Sequence, residues 1–560
     1  MTNYQFTGGT ICAPATIPGT GAISIIRVSG KEALAIADKV IDTKGVPIAE
    51  TEGYRLRYGT VFEADGSVLD NVIISVFRAP HSYTGENSVE ISCHASRFIV
   101  NKILELLVNA GARIAAPGEF TRRAFVNGKM DLAQAEAVAD VIASQSAASH
   151  RVAMNQLKGG FSSELKVLRE KLLTMTSLLE LELDFSEEDV EFASRKELGQ
   201  LVDDSLTHIR RLTASFSRGN AIKNGIPVAI VGATNTGKST LLNALLGEER
   251  AIVSDIAGTT RDTIEETLNI DGILFRFIDT AGIRETDETI EKIGIDRTFK
   301  KLGEAAVVLG MTDLSRGEAA VLEDADFILS KVNEMGGVKN VGTENDGAET
   351  GGASPAETGG ASAAETGGAP LAETDGTSRS ETGGAYQHGH GDGQERKVVI
   401  LVNKCDVAGD FYRDDDDTGY GSGNDLGENM AEISDNKNVN HNNNIVSLIE
   451  NKYDNCKVIP ISAKTGKGLS TLTKTLGEIG SEITGSTDET LVTNVRHYEA
   501  LVRAASALER VRAGLHIATL PPDLIAQDLR EALYHLGEIV GEITTDETLG
   551  NIFRNFCIGK

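Results

Sequence analysis

The sequence predicts a multidomain protein: an α+β N-terminal domain, a discontinuous α-helical domain, and an α/β phosphate-loop domain inserted between the two helical parts. Three observations carry that prediction. A glycine-rich loop, Gly232-Ala-Thr-Asn-Thr-Gly-Lys-Ser239, stands between an apolar run and a helix-spaced one. Short β-type runs alternate with helical stretches over residues 1–122. Helical periodicity runs from Phe120 to about Lys223, lapses, and returns from about Glu489 to the end.

Composition bounds the rest. A chain of 560 residues is expected to hold roughly three or four domains with buried cores. The formal net charge of −28 argues against bulk electrostatic capture of nucleic acid, but leaves room for a local basic site. Five cysteines (Cys12, Cys93, Cys405, Cys456 and Cys557) show neither a CxxC pair nor metal-ligand spacing, as in a reducing cytoplasm. No signal-peptide pattern opens the chain, and no apolar run approaches the ~20 residues that span a bilayer. A soluble, cytoplasmic protein without stable membrane association is expected.

In the N-terminal part, Ala22-Ile-Ser-Ile-Ile-Arg27, Val72-Ile-Ile-Ser-Val-Phe77 and Val89-Glu-Ile-Ser-Cys93 read as strands, and Ile99 to Val108 as a helix. Arg27, Glu86, Glu90, His94, Arg122, Arg123 and Lys129 fall at strand ends and in loops, where most charges are simply surface charges. From Phe120 onward Leu132, Ala135, Val138 and Ile142 step by three and four, and Leu165 to Leu183 is amphipathic without glycine or proline. Neither helical stretch closes a bundle alone, so one helical domain built from both is expected.

Two low-complexity segments interrupt the middle. Residues 344–383 repeat an octet, as in Ala356-Glu-Thr-Gly-Gly-Ala361 and Ala364-Glu-Thr-Gly-Gly-Ala369. No octet position supplies a core residue, which favours disorder over a solenoid. Gly409 to Asn444 is rich in Asp, Gly and Asn and lacks the spacing of a Ca²⁺ loop, so a solvated disordered loop is expected there. The expected boundaries are 1–122, 123–223, 224–470 with insertions at about 333–396 and 409–453, and 471–560.

The loop at 232–239 fits G-x-x-x-x-G-K-[ST], in which backbone N–H groups and a helix N-terminus cradle phosphates. Lys238 would reach the β- and γ-phosphates and Ser239 would ligate Mg²⁺, with Asn235, Thr236, Gly237 and Thr240 around them. Gly258, Thr259 and Thr260 follow in a polar loop, Thr260 completing the Mg²⁺ shell. Asp279-Thr-Ala-Gly282 ends a strand, Asp279 holding Mg²⁺ through water while the Gly282 N–H senses the γ-phosphate; Thr280 and Ala281 complete that turn. Asn403-Lys404-Cys-Asp406 ends another strand, where the Asp406 carboxylate can accept both N–H groups of guanine's pyrimidine edge. Ser462, Ala463 and Lys464 supply the last loop under the base. Ile283 stands where a Ras-type glutamine would orient water, so something else must position the attack.

Gly258-Thr-Thr-Arg-Asp262, Asp279-Thr-Ala-Gly-Ile-Arg-Glu285 and the terminal Phe556-Cys-Ile-Gly-Lys560 resemble the MnmE (TrmE) family of tRNA-modification GTPases. Ser82-Tyr-Thr-Gly-Glu86, Pro117 to Phe125 and Asn127 to Leu132 match it too, and only the two insertions fall outside the resemblance. The resemblance implies a homodimer through a tetrahydrofolate-binding N-terminal domain. Arg27, Glu90, Lys129 and Lys560 would hold a 5-formyl- or methylene-tetrahydrofolate one-carbon donor, with Glu86 competing with Glu90. It implies an FAD-dependent partner protein (MnmG/GidA) in a heterotetramer. Together these would add a carboxymethylaminomethyl-type group to C5 of the wobble uridine of tRNA. It also implies K⁺ between facing GTPase domains in place of an arginine finger, with Asn235, Ser254, Ile256 and Thr259 as ligands. Glu291 would orient water, and Cys557 is either a nucleophile or a packing residue of the last helix. Ser254 joins the GTP-binding residues, and Lys238, Glu291 and Cys557 form the catalytic set. The sequence departs from the family at Ala233-Thr234, in place of a basic residue and proline, and at Ala95-Ser96, in place of two glycines. An alternative is a regulatory GTPase of the Era or Der kind acting in RNA or ribosome assembly. Such a protein would need neither the N-terminal domain nor the cysteine tail.

Overall fold

The computed structural model describes residues 8–184, 195–249, 266–278, 305–334, 396–406, 439–453, 456–485, 489–517, 521–554, 556 and 559. The chain divides into two compact units, one of residues 1–226, 267–276 and 473–560, the other of 227–266 and 277–472.

The first unit begins with strands β1 (Ile11–Pro14), β2 (Ile23–Ser29), β3 (Ile41–Asp42), β4 (Arg55–Phe62), β5 (Val68–Phe77), β6 (Ser88–His94) and β7 (Arg113–Ile114). They form one sheet in the order β3-β4-β5-β6-β2-β1-β7, antiparallel except between β1 and β7. Strand side chains alternate between faces, so Val72, Ile74 and Val76 of β5 turn to a core shared with α1 (Ala33–Val40) and α2 (Arg97–Asn109). Register pairs Arg27 with Glu90 across β2 and β6, which puts both side chains on one face.

Helices α3 (Glu119–Val126), α4 (Leu132–Ala143), α5 (Ala147–Leu157), α6 (Gly160–Asp184), α7 (Arg195–Ala214) and α8 (Phe216–Asn224) follow. One apolar core joins Leu165, Leu172 and Leu179 of α6 and Val202, Leu206 and Ile209 of α7 to residues more than half the chain away. These distant residues are Leu501, Ala504 and Leu508, and then Leu529 and Leu536. The helical stretches before and after the phosphate loop therefore close a single bundle, each covering the apolar stripe of the other.

A second sheet contains β8 (Ile226–Gly232), β9 (Glu266–Ile270), β10 (Ile273–Ile278), β11 (Val307–Asp313), β12 (Lys397–Asn403) and β13 (Cys456–Pro460), in the order β13-β12-β11-β8-β10-β9. Strands β8, β11, β12 and β13 run parallel. They are buried almost throughout, which is why they read as unbroken apolar runs rather than alternating ones. Helix α9 (Lys238–Glu249) follows the phosphate loop, and α10 (Glu318–Glu334) and α11 (Val439–Lys452) cover the sheet. The chain ends with α12 (Leu469–Thr484), α13 (Val495–Leu515), α14 (Pro522–Val540) and α15 (Asp546–Arg554).

One expectation needs correction. The disordered loop expected to run to Asn444 gives way to helix already at Val439. Ile445 and Ile449, one turn apart, are buried against the sheet and fix an Asn-rich stretch whose residues are themselves poor helix formers. The octet repeat, and 409–438 of the second segment, lie outside the described residues.

Candidate functional site

Parallel β-strands deliver their loops to one edge of a sheet, and ligands of such folds gather at the strands' C-terminal ends. Here β8, β11, β12 and β13 end at Gly232, Asp313, Asn403 and Pro460. The phosphate loop is tight: a methyl group on Gly232 would lie 2.3 Å from the Met311 carbonyl oxygen, and one on Gly237 only 2.4 Å from Asn403 Nδ2. Gly237 (φ +98°) and Asn235 (φ +62°) adopt left-handed backbone, which glycine and asparagine tolerate best. Lys238 Nζ donates to the carbonyls of Gly232 (2.9 Å) and Ala233 (2.7 Å), and its burial lowers its pKa. Thr236 Oγ1 donates to Ala233 O at 2.9 Å. Ser239 and Thr240 lie in the first turn of α9, whose leading N–H groups have no acceptor within the helix. An ammonium resting on two carbonyls, above a helix N-terminus, is a ready anion site.

The loops that leave β12 and β13 are joined to this loop by Asn403. Its Nδ2 donates to Thr236 O (2.6 Å) and its Oδ1 accepts the Ala463 N–H (3.0 Å), so one amide bridges the phosphate loop and the loop after β13. The Asn403 side chain therefore positions two loops. Ser462 Oγ donates to Asp406 Oδ1 at 2.8 Å, holding that carboxylate in place. Lys404 (φ +65°) turns to Asp313, its Nζ 2.6 Å from Oδ2. Lys464 is exposed. The structure thus gathers Asn235, Thr236, Gly237, Lys238, Ser239, Thr240, Asn403, Lys404, Asp406, Ser462 and Ala463 on the C-terminal edge. Ser254, Ile256, Gly258, Thr259, Thr260, Asp279, Thr280, Ala281, Gly282 and Glu291 lie outside the described residues.

A second cluster forms in the first unit. Arg27 Nε and Nη2 lie 2.9 and 2.8 Å from Glu90 Oε1, and its Nη1 donates to the Gly559 carbonyl at 3.3 Å. Its guanidinium carbon stands 5.2 Å from the centre of the Tyr83 ring and 5.7 Å from that of Phe120. Glu86 is occupied elsewhere: Arg123 Nη1 donates to both of its oxygens at 3.0 Å, and Ser29 Oγ to Oε2 at 2.8 Å. Of the two competing glutamates, Glu90 is the one that meets Arg27. Lys129 is exposed and donates to Pro80 O at 3.0 Å rather than to Arg27's partner. Cys557 and Lys560 lie outside the described residues; Gly559 reaches this cluster through its carbonyl, while Phe556 packs with Leu132, Leu549 and Phe553. Sequence reasoning did not single out Asp313, Tyr83, Phe120 or Gly559. The signal for Asp313 was a lone carboxylate closing an apolar strand.

The family model described as the GTP-binding protein TrmE N-terminus matches residues 10–129, and that of the MnmE helical domain matches 132–557. The chain is 44% identical over 554 residues to the tRNA modification GTPase MnmE of Parabacteroides distasonis, spanning 98% of this chain and 100% of that one. The chain belongs to the MnmE family. Two further MnmE relatives agree. That of Bacteroides thetaiotaomicron is 43% identical across 98% of this chain and 99% of its own, and that of Christiangramia forsetii is 44% identical over the same shares. As an MnmE-family tRNA modification GTPase, the chain combines a TrmE N-terminal domain, a helical domain and a P-loop GTPase-like fold. Among the described residues no helix is long and apolar enough to cross a membrane.

Proposed function

We propose that this protein hydrolyses GTP as the energy-coupling subunit of a cytoplasmic tRNA-modifying enzyme. That enzyme would add a carboxymethylaminomethyl-type group to C5 of the wobble uridine, together with an FAD-dependent partner. The observation that carries the GTP reading is the Asn403 bridge, which ties the phosphate loop to the loop after β13, whose Ser462 holds the Asp406 carboxylate. Lys238 would exchange its two loop carbonyls for phosphate oxygens, and Asp406 would take the two N–H groups of guanine.

The donors fit Mg²⁺ as GTPases hold it, through few protein ligands plus substrate phosphates; Ser239 and Thr260 would supply hydroxyls. Asn235 is exposed at the crest of the loop, as suits a K⁺ ligand completed by Ser254, Ile256 and Thr259 in a face-to-face dimer. The cation would supply positive charge where an arginine finger is missing. With Ile283 unable to hydrogen-bond water, Glu291 takes the orienting role. Arg27, Glu90, Lys129 and Lys560 would hold a tetrahydrofolate derivative. The Glu90 carboxylate suits pterin N–H groups, while Tyr83 and Phe120 offer ring contact and Arg27 a positive charge. Leu56, Tyr58 and Ile73 expose apolar surface on neighbouring strands, which favours homodimerisation through the N-terminal sheet. The corresponding domain boundaries are 1–122, 123–223 with 471–560, and 224–470.

GTP turnover in K⁺ against Na⁺ at equal ionic strength tests the cation. A rise of at least about tenfold in K⁺ is expected, given the 10³–10⁵ that a finger contributes. Equal rates would remove K⁺ from the mechanism.

A further inference from the structure

We propose that the Thr236 hydroxyl is a positioning group for the phosphate loop: it holds the Ala233 carbonyl, so that Lys238 can turn to phosphate oxygens without leaving that carbonyl unpaired. The proposal rests on reading the loop as the phosphate site of a nucleotide.

Thr236 sits between two residues of left-handed backbone, Asn235 (φ +62°) and Gly237 (φ +98°), and its side chain reaches back to the carbonyl three residues earlier, at 2.9 Å. That side chain has little freedom. Thr236 is buried, its own carbonyl accepts Asn403 Nδ2 at 2.6 Å, and a β-branched residue has few rotamers open to it. The hydroxyl is therefore in place before a ligand binds.

Lys238 has to move. Its ammonium carries three N–H groups, and the carbonyls of Gly232 (2.9 Å) and Ala233 (2.7 Å) occupy two of them. Meeting phosphate oxygens draws those donors away, and a carbonyl left without a partner pays its full desolvation penalty, which exceeds the net worth of an ordinary hydrogen bond. Ala233 O escapes that penalty because its two lone pairs serve two donors, Lys238 Nζ and Thr236 Oγ1. While the ammonium rests on the loop the hydroxyl is redundant. Once the ammonium turns to phosphate, the hydroxyl is the donor that stays. A residue that merely packed the loop would contribute equally in both states.

The test uses the full-length protein and measures affinities for GDP and a non-hydrolysable GTP analogue in Mg²⁺, together with thermal unfolding without nucleotide. Thr236→Val keeps the shape and removes the hydroxyl. It is expected to weaken both nucleotides about tenfold, while the melting temperature of the free protein moves by less than about 1 °C. Thr236→Ser keeps the hydroxyl and loses a methyl group, and both affinities should stay within about twofold of wild type. Lys238→Met removes the ammonium in every state. Adding Thr236→Val to it should lower the melting temperature by at least about 3 °C beyond the sum of the two single shifts, because Ala233 O then loses both donors. Unchanged affinities in Thr236→Val, a Thr236→Ser variant as weak as Thr236→Val, or melting shifts that simply add would each overturn the proposal alone. If the unsubstituted protein bound neither nucleotide, the phosphate-site reading would fall and the proposal with it.

Discussion

Lys238 finds both of its partners, the carbonyls of Gly232 and Ala233, within six residues, whereas Arg27 reaches one of its own, the Gly559 carbonyl, 532 residues along the chain. The phosphate pocket is built from short contiguous stretches, each delivered by a strand end, and needs only the sheet behind it. The arginine cluster joins a strand pair near the start of the chain to Gly559 near its end, and that last contact depends on the helices that hold the tail. Damage to the first region should therefore cost activity without stability. Damage to what supports the second should cost stability first.

The largest effect should come from Lys238→Ala. It removes the cation proposed to meet the phosphates, and a kcat loss of roughly 10³-fold or more, about 4 kcal/mol, is expected. The melting temperature should move by less than about 2 °C, since the ammonium satisfies only two carbonyls of its own loop. A large fall in melting temperature alongside the lost turnover would break the contrast.

The contrast sharpens at Glu136. This buried carboxylate on α4 accepts from Arg496 Nε and Nη2, both at 2.9 Å, and from His497 Nε2 at 2.6 Å. Arg496 also donates to the carbonyls of Glu538 and Ile539 at the end of α14, so one ion pair ties the first helical stretch to the approach to the tail. Arg496 already balances the carboxylate, and His497, fully buried beside that guanidinium, is held neutral with its pKa below 6.5. Burial alone would raise the Glu136 pKa, but His497 and Arg496 bring it down to about 2. Removing one partner of a buried pair strands the other, so Glu136→Ala is expected to cost about 3–5 kcal/mol in denaturant unfolding. The pH dependence has a definite sign. Glu136's contribution is complete above its unfolded value of 4.5 and is lost as pH falls toward 2. That of His497 is complete above 6.5 and lost below it, because the unfolded chain takes up the proton first. Wild type should therefore lose stability in two stages, through His497 as pH falls below 6.5 and through Glu136 between pH 4.5 and 2, and Glu136→Ala should remove the second stage. A slope unchanged by the substitution would mean the network does not govern acid sensitivity.

The same difference in construction decides what could be read from the sequence. The phosphate loop and the Asn403 turn were legible because their residues are contiguous and flanked by apolar runs. Strands β2, β5 and β6 and helix α2 showed periodicity over enough residues to be recognised. Strand β4 was not recognised: Arg55-Leu56-Arg57-Tyr58 alternates for only four residues before Gly59-Thr60, and its apolar side chains face outward rather than into the core. β1 and β7 are too short to show a period at all. Helix α11 hid in an asparagine run and exists because of burial that only the fold supplies. Spacing also carries no trace of a contact between Arg27 and Gly559, or of Arg123 with Glu86. Only the family resemblance placed Arg27 and Glu90 in one pocket, and it took the β2–β6 register and the Arg123–Glu86 pair to show that Glu90, not Glu86, meets Arg27.

The smallest effect, and the most discriminating, is expected at Gly559. Its φ of +97° favours glycine, and a methyl group there would lie 2.1 Å from the Pro14 carbonyl oxygen, so Gly559→Ala must push the tail away from β1. The Arg27–Glu90 pair should survive, because strand register rather than the tail sets it. What is lost is the bond from Arg27 Nη1 to the Gly559 carbonyl, long at 3.3 Å, together with the placement of whatever the last residue contributes. Affinity for 5-formyl-tetrahydrofolate, measured by calorimetry on the full-length protein, should fall about three- to tenfold. Unfolding free energy should stay within about 0.5 kcal/mol of wild type, because the helical core is untouched. GTP turnover should be unaffected. If turnover fell together with folate affinity, the tail would be acting on the phosphate pocket as well. The two regions would then be coupled parts of one device, despite the separate ways in which they are built.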